Sequence, residues 1–199
     1  MNFAVFASGR GGNLQAIINA VKKKQIKANL RLVFSDRADA FALERAAEAR
    51  IPTLHLDPKD FASREEFDRA VMKRLDAAGI DFIVLAGYMR LLSSHFIQAY
   101  AGKMINIHPA LLPAFKGTQG IRDAFEYGVQ VTGVTVHFVT EDMDAGAIIA
   151  QEAVHISPKD TLASLEARIH RLEHRLYPKI IDLFARGKLR VRGRKVVIR

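Results

Sequence analysis

Apolar runs of four to six residues alternate with helical stripes through the first half of the chain, and few folds accept that alternation. Asn2 to Ala7 reads as a strand. Leu14 to Val21 reads as a helix with Leu14, Ile17, Ile18 and Val21 on one stripe. Asn29 to Phe34 with Ala40 to Ala49, and Thr53 to Leu56 with a helix from Ser63 to about Ala78, repeat the pair. Asp81 to Leu85 precedes a helix capped by Ser93 or Ser94. Met104 to His108 precedes a short helix over Ile121 to Tyr127. Five such units predict an α/β fold: an open, mostly parallel, twisted sheet with helices on both faces. Val131 to Phe138 and Ala147 to Val154 follow as an antiparallel-prone pair. Thr161 to Ala185 is a long amphipathic helix, with Leu162, Leu165, Ile169, Leu172 and Leu176 on one stripe. Pro178 is predicted to kink or split it near Tyr177.

The first turn is rich in glycine: Ser8-Gly9-Arg10-Gly11-Gly12-Asn13. Asn13 is the predicted N-cap of the following helix. Backbone N–H groups at such a turn, with the helix dipole behind them, bind phosphate; a tight turn without a ligand is the competing reading. Gly9-x-Gly11 and Asp36 also begin a dinucleotide fingerprint, but Leu14 stands where its third small residue belongs. If the strand order is 3-2-1-4-5, this turn lies beside the apolar loop Gly87-Tyr88-Met89-Arg90-Leu91-Leu92 at the switch point of the sheet. Ser63 caps its helix, with Glu66 placed for a capping box. Arg64 follows in the first turn, where the dipole disfavours a cation. It is either solvated or reaching for an anion.

Charge is concentrated at the far end. Residues 186–199 hold Arg186, Lys188, Arg190, Arg192, Arg194, Lys195 and Arg199 and no acid, so +7 of the net +9 lies there and +2 is left for residues 1–185. Alternation over Lys188 to Arg192, a turn at Gly193 and a return over Lys195 to Ile198 predict a solvated β-hairpin whose charges discourage edge-to-edge aggregation. Nucleic-acid binding by this tail is the different-class alternative. The chain has no cysteine, which removes disulfides and thiolate chemistry. It has no apolar run of bilayer length and no secretory signal, so a cytoplasmic protein is expected.

The fifth strand, Met104-Ile105-Asn106-Ile107-His108, ends in chemistry. Ile105 and Ile107 point to one face, Asn106 and His108 to the other. Pro109 stops the strand, which leaves an amide and an imidazole at its carboxyl end. Glu141-Asp142-Met143-Asp144-Ala145-Gly146 supplies carboxylates on the loop between the two later strands, and Asp144 is expected to face His108. A cis bond is expected at Leu112-Pro113, where a sharp loop follows. None of the seven histidines has zinc-ligand spacing with a third ligand, so no metal is expected. His137 is either a hydrogen-bonded sheet histidine or a neighbour of the site. His170 and His174, one turn apart around Glu173, read as a polar helix face.

The trio of Asn106, His108 and Asp144 has no adjacent nucleophile. Direct acyl transfer between two bound substrates fits better than a covalent intermediate. Asn106 and a protonated His108 would donate to the developing oxyanion, and losing one such donor commonly costs about 3 kcal/mol or more. Asp144 would favour the imidazolium and could anchor a proton-carrying water. Hydrolysis, with water replacing the amine, uses the same trio.

Four stretches together resemble the folate-dependent phosphoribosylglycinamide formyltransferase family, also called glycinamide ribonucleotide transformylases. They are Ser8-Gly9-Arg10-Gly11-Gly12-Asn13-Leu14-Gln15, Leu85-Ala86-Gly87-Tyr88-Met89-Arg90, Asn106-Ile107-His108-Pro109-Ala110-Leu111-Leu112-Pro113 and Asp142-Met143-Asp144-Ala145-Gly146. The resemblance runs to about Phe184. It implies a Rossmann-like formyltransferase fold over residues 1–199, with a phosphate-binding half (1–100), a catalytic and folate-binding half (101–185) and a basic hairpin tail (186–199). It implies formyl transfer from 10-formyltetrahydrofolate to the amine of glycinamide ribonucleotide in purine synthesis, without a metal. Asn106, His108 and Asp144 take the catalytic places. Gly11, Gly12 and Asn13 take the phosphate turn, and Glu173 the ribose hydroxyls. Arg64, Met89, Arg90, Leu91, Leu92 and Asn106 line the folate site, with Thr140, Glu141 and Asp142 over the pterin. The partners implied are small molecules, with no nucleic acid and no membrane, for a monomer or homodimer. This sequence departs from the family pattern at Gly12 (commonly serine), at Ala145 (frequently glycine) and in Phe115-Lys116-Gly117-Thr118-Gln119, where Lys116 adds a cation. Longer relatives with the same trio, the methionyl-tRNA formyltransferases, formyltetrahydrofolate deformylases and sugar-amine formyltransferases, carry parts for which this chain has no expected counterpart.

Overall fold

The first strand, β1 (Asn2–Phe6), sends Phe3 and Val5 to one face and Ala4 and Phe6 to the other, and all four are fully buried. A strand buried on both faces belongs to the middle of a sheet covered on both sides. The computed structural model, which describes residues 1–199, places it there. Along the chain follow α1 (Gly12–Lys22), β2 (Asn29–Ser35), α2 (Phe41–Glu48), β3 (Thr53–His55) and α3 (Arg64–Ala77). Then come β4 (Phe82–Leu85), α4 (Ser94–Ala99), β5 (Met104–His108), α5 (Gly120–Tyr127), β6 (Val131–Phe138) and β7 (Ile148–His155). The chain closes with α6 (Leu162–Ala185), β8 (Leu189–Arg192) and β9 (Lys195–Ile198).

The nine strands form one sheet in the order β3-β2-β1-β4-β5-β6-β7-β9-β8. Strands β1 to β5 are parallel, β6 is antiparallel to β5 and β7, and β9 joins β7 through the pair Ile148–Lys195. The expected order 3-2-1-4-5 is therefore present, and its direction reverses between β1 and β4. The crevice outside those carboxyl ends is where an open α/β sheet receives ligands.

The two faces have separate cores. Leu14, Ile17 and Ile18 of α1 join Leu165, Ile169, Leu172 and Leu176 of α6 against one face. Phe67, Val71 and Leu75 of α3 join Phe96 of α4 against the other. The expected stripes of α1 and α6 are thus the buried ones, except that Leu162 and Val21 are only partly buried.

Three local expectations need correction. Asn13 is not the N-cap of α1. Gly11 holds that place at φ +70°, with no side-chain cap, because the chain enters the helix in a left-handed conformation that favours glycine. Glu66 does reach back, but to the Ala62 N–H rather than that of Ser63, while Ser63 caps the Glu66 N–H as expected. Pro178 does not split α6, which is continuous from Leu162 to Ala185. The proline removes a donor, yet Tyr177, Pro178, Ile180 and Ile181 are all buried, and packing on the sheet carries the helix through. The Leu112–Pro113 bond is cis, as expected.

Tyr177 ties α6 to the sheet. Its fully buried hydroxyl lies 2.8 Å from the Leu85 carbonyl and 3.0 Å from that of Ile105, bridging β4 and β5 just before the site. Burial pushes the phenol well above its ordinary pKa, and the Glu173 charge adds to this, so it remains a donor. Tyr177→Phe leaves the packing and strands those carbonyls. We expect a loss of about 1–3 kcal/mol in denaturant unfolding at unchanged m-value; an unchanged midpoint would show that the bridge contributes nothing.

Candidate active site

The antiparallel register of β5 on β6 places Asn106 opposite His137 and His108 opposite Thr135. Cross-strand partners on one face lie within side-chain reach, and the Asn106 Nδ2 atom is 3.2 Å from His137 Nε2. His137 Nδ1 lies 2.8 Å from the Phe138 carbonyl and donates there, which leaves Nε2 facing both the Asn106 amide and Asp144. His108 is buried at the strand end. Its Nε2 donates to the Phe115 carbonyl at 2.8 Å, and its Nδ1 faces Asp144 Oδ2 at 3.6 Å. A ring with an acceptor at each nitrogen donates to both only when protonated.

Asp144 meets both histidines: Oδ1 is 3.6 Å from His137 Nε2, and Oδ2 accepts the Gly117 N–H at 2.9 Å. Burial opposes ionisation of this carboxyl. The His137 ring, the Gly117 N–H and the charges of both imidazoles outweigh it and hold the pKa below the ordinary carboxylate value. The loop carrying Asp144 is tightly built. Asp144 itself has φ +52°, unusual for a residue other than glycine. A Cβ on Gly146 would lie 1.8 Å from the Phe138 carbonyl oxygen, so only glycine fits that crossing.

A cleft of about 1040 Å³ opens from this group. Asn106, His108, His137 and Asp144 line it. Arg64, Met89, Arg90, Leu91, Leu92, Thr140, Glu141 and Asp142 also line it. Met89 and Leu91 are more than half exposed, an apolar surface at the mouth of the cleft. Arg90 lies over the Phe67 ring with its buried Nε unpartnered. Glu141 is anchored by Gln98 and Ser94. Asn13, His170 and Glu173 are in the same lining. Asn13 Oδ1 is buried without a partner, and Glu173 is buried with Oε2 receiving His170 Nδ1 at 2.9 Å.

The structure thus brings together the expected residues with three qualifications. Gly11 lies under α2, where a Cβ would be 2.9 Å from the Ala42 Cα, and neither it nor Gly12 lines the cleft wall as Asn13 does. Lys116 is exposed and is not part of the cleft lining, while its neighbours Gly117, Thr118 and Gln119 are. Asp36, the candidate ribose carboxylate of the dinucleotide reading, instead accepts the Ser8 hydroxyl at 2.6 Å. Residues outside the expected catalytic and binding set also enter, His137 by the second of its two expected readings. His137 joins Asn106 to Asp144, His170 holds Glu173, and Phe115 and Gly117 reach His108 and Asp144 through backbone atoms. Only His137 and His170 carry a side-chain signal, and both need the strand register or helix packing to be placed.

A formyl transferase family model matches residues 1–181. The phosphoribosylglycinamide formyltransferase of Bacillus subtilis (strain 168) is 46% identical over 179 residues, covering 90% of this chain and 92% of that protein. The trifunctional purine biosynthetic protein adenosine-3 of Gallus gallus is 47% identical over 188 residues, covering 94% of this chain and 19% of that longer protein. The crystal structure of glycinamide ribonucleotide transformylase 1 from Symbiobacterium toebii matches with a TM-score of 0.97 at 47% identity, covering 100% of this chain and 93% of that one.

Two measurements follow from this geometry. Gly146→Ala forces the loop off the Phe138 carbonyl, so we expect about 1–3 kcal/mol of destabilisation in chemical unfolding; wild-type stability would contradict the tight crossing. The hydrogen bond from His170 to Glu173, with the attraction of Glu173 and Glu166, raises the His170 pKa against the opposing effect of burial. Its stabilisation is therefore complete below the unfolded imidazole value of about 6.5 and is lost as pH rises through the raised folded value. Because the ring is about half exposed, the stability gap between wild type and His170→Asn should be under about 1 kcal/mol, larger near pH 5.5 than near pH 9. A gap that grows with pH would reverse this sign.

Proposed function

The chain belongs to the formyl transferase family, and we propose that it moves the formyl group of 10-formyltetrahydrofolate onto the amine of glycinamide ribonucleotide. The products are formylglycinamide ribonucleotide and tetrahydrofolate, in de novo purine synthesis. The observation that carries this reading is the convergence of Asn106, His108 and Asp144 in the wall of one cleft whose lining also includes Asn13, Glu173, Arg64 and Met89 to Leu92, the residues expected for both ligands.

The neutral amine attacks the formyl carbon, and charge develops on the formyl oxygen. Asn106 Nδ2 and His108 Nε2 are the donors for that oxyanion, with the amide oriented by His137 and the imidazole by Asp144. His108 Nε2 is engaged by the Phe115 carbonyl, so this carbonyl gives way when the formyl oxygen arrives. The tetrahedral centre collapses with breakage of its bond to the folate nitrogen. The proton lost by the amine reaches that nitrogen directly or through a water held by Asp144. The unexchanged carboxylate keeps its charge because its pKa is held low.

The same reading distributes the ligands. The N–H groups of Gly11, Gly12 and Asn13, at the start of α1, receive the phosphate. Glu173 accepts the ribose hydroxyls, and its bond from His170 fixes its rotamer. Met89, Leu91 and Leu92 give the folate ring system an apolar bed, with Arg90 and Asn106 beside it. Thr140, Glu141 and Asp142 close over the pterin, and Arg64 meets the anionic glutamate of the folate. Residues 1–100 thus supply the phosphate turn and residues 101–185 the reacting groups, in a cytoplasmic enzyme acting on small molecules as a monomer or homodimer.

Purified protein is incubated with 10-formyltetrahydrofolate, with and without glycinamide ribonucleotide. Ribonucleotide-dependent release of tetrahydrofolate with formylated product is expected. Equal release without the acceptor would mean a hydrolase. His108→Ala and Asp144→Asn should each lower kcat by about a hundredfold or more, as loss of an oxyanion donor or its holder does, with calorimetric ligand binding retained. Near-normal kcat in either variant would remove that residue from the chemistry.

A further inference from the structure

The basic hairpin β8–β9 lies beyond residue 181, where the family match ends, and the reaction as read above assigns it nothing. It does not hang free in solvent. Leu189 and Val196 pack against the core cluster of the α6 face, and β9 pairs with β7 at Ile148, the first residue of that strand. Ile148 is four residues after Asp144, so the hairpin meets the sheet where the carboxylate loop ends. The two-residue turn Gly193-Arg194 then faces that loop, with Gly193 at φ +59°. From it Arg194 Nη2 donates to the Ala145 carbonyl at 3.2 Å. Arg194 has no carboxylate partner.

The loop is fixed on its inner side and open on its outer side. Gly146 is pressed on the Phe138 carbonyl, the Phe138 N–H donates to the Ala147 carbonyl at 3.0 Å, and Gly117 holds Asp144 Oδ2. Met143, just before Asp144, is about half exposed. Asp144, at φ +52°, sits in a conformation that its neighbours must enforce. Arg194 supplies a charged donor on the residue directly after it.

We propose that Arg194 is a positioning residue for the transfer: the C-terminal hairpin clamps the Ala145 carbonyl and thereby holds Asp144 at His108 and His137. The cationic hairpin is then a brace for the reacting carboxylate. This rests on the reading that Asp144 acts in formyl transfer, but the clamp itself is a physical contact that can be tested apart from activity.

Three full-length variants are compared with wild type: Arg194→Ala, Arg194→Lys and Arg190→Ala, the last an exposed hairpin arginine that donates no side-chain hydrogen bond. Amide hydrogen exchange over residues 141–147 reads the clamp directly. Arg194→Ala should speed it about three- to tenfold, the scale of one exposed charge-assisted bond. In steady-state assays kcat should fall by a similar factor, with KM for the ribonucleotide unchanged. The acid limb of kcat should move to higher pH, because a loosened Asp144 loses the Gly117 and imidazole contacts that keep its carboxyl ionised. Arg194→Lys should restore part of both effects, and Arg190→Ala should show neither. Unchanged loop exchange in Arg194→Ala overturns the clamp, as does an equal response in Arg190→Ala. Faster exchange with unchanged kcat and pH profile overturns the positioning role. A kcat near wild type in Asp144→Asn, measured alongside, would instead sink the assignment of Asp144 and the proposal with it.

Discussion

The register of β5 on β6 governs what this cleft can do. Asn106 and His137 face each other across that ladder, and His108 is the last residue of its strand. A slip of one residue would turn Asn106 and His108 into the α6-side core and bring Ile105 and Ile107 into the cleft. The register is enforced from both faces. Ile105 and Ile107 are buried with Val134 and Val136 against α6, and Tyr177 lies within hydrogen-bonding distance of the Leu85 and Ile105 carbonyls. The polar group at the strand end is therefore positioned by the apolar packing behind it.

The loops complete what the strands begin. Phe115 and Gly117 reach His108 and Asp144 with a backbone carbonyl and a backbone N–H, and Asp144 is held between two imidazoles. These contacts all involve groups that bear or accept charge in a mostly buried pocket, where an unmet partner is costly. The proposed transfer needs such a setting. The groups aimed at the new oxyanion must already be oriented, because turning them during the reaction would consume the stabilisation they offer.

Much of this was legible in the sequence. Alternating strands and stripes gave the mostly parallel sheet, its order entering only as an assumption, and the strand ending at Pro109 gave Asn106 and His108. The loop between two apolar strands offered several carboxylates, and the family resemblance singled out Asp144 as their partner. What sequence reasoning lost was geometry that no residue type announces. Asn13 is a good capping residue, yet the left-handed entry at Gly11 moved the cap upstream. Pro178 is a helix breaker by chemistry, yet a buried face overrode it. His137, open between a sheet histidine and a neighbour of the site, was settled by register, and Arg194 entered only through the docking of a hairpin whose charges had suggested solvent or nucleic acid.

The contact between the glycine turn and α6 has an evolutionary reading. A Cβ at position 12 would lie 3.1 Å from the His174 Nε2 atom, so the imidazole occupies the room that a larger side chain would need. Positions 12 and 174, on different helices and 162 residues apart, share one small volume. A side chain at the turn needs the ring on α6 to give way by a few tenths of an ångström, and glycine lets the ring stay where it is. The two sites are expected to drift together, as a single trait written in two places.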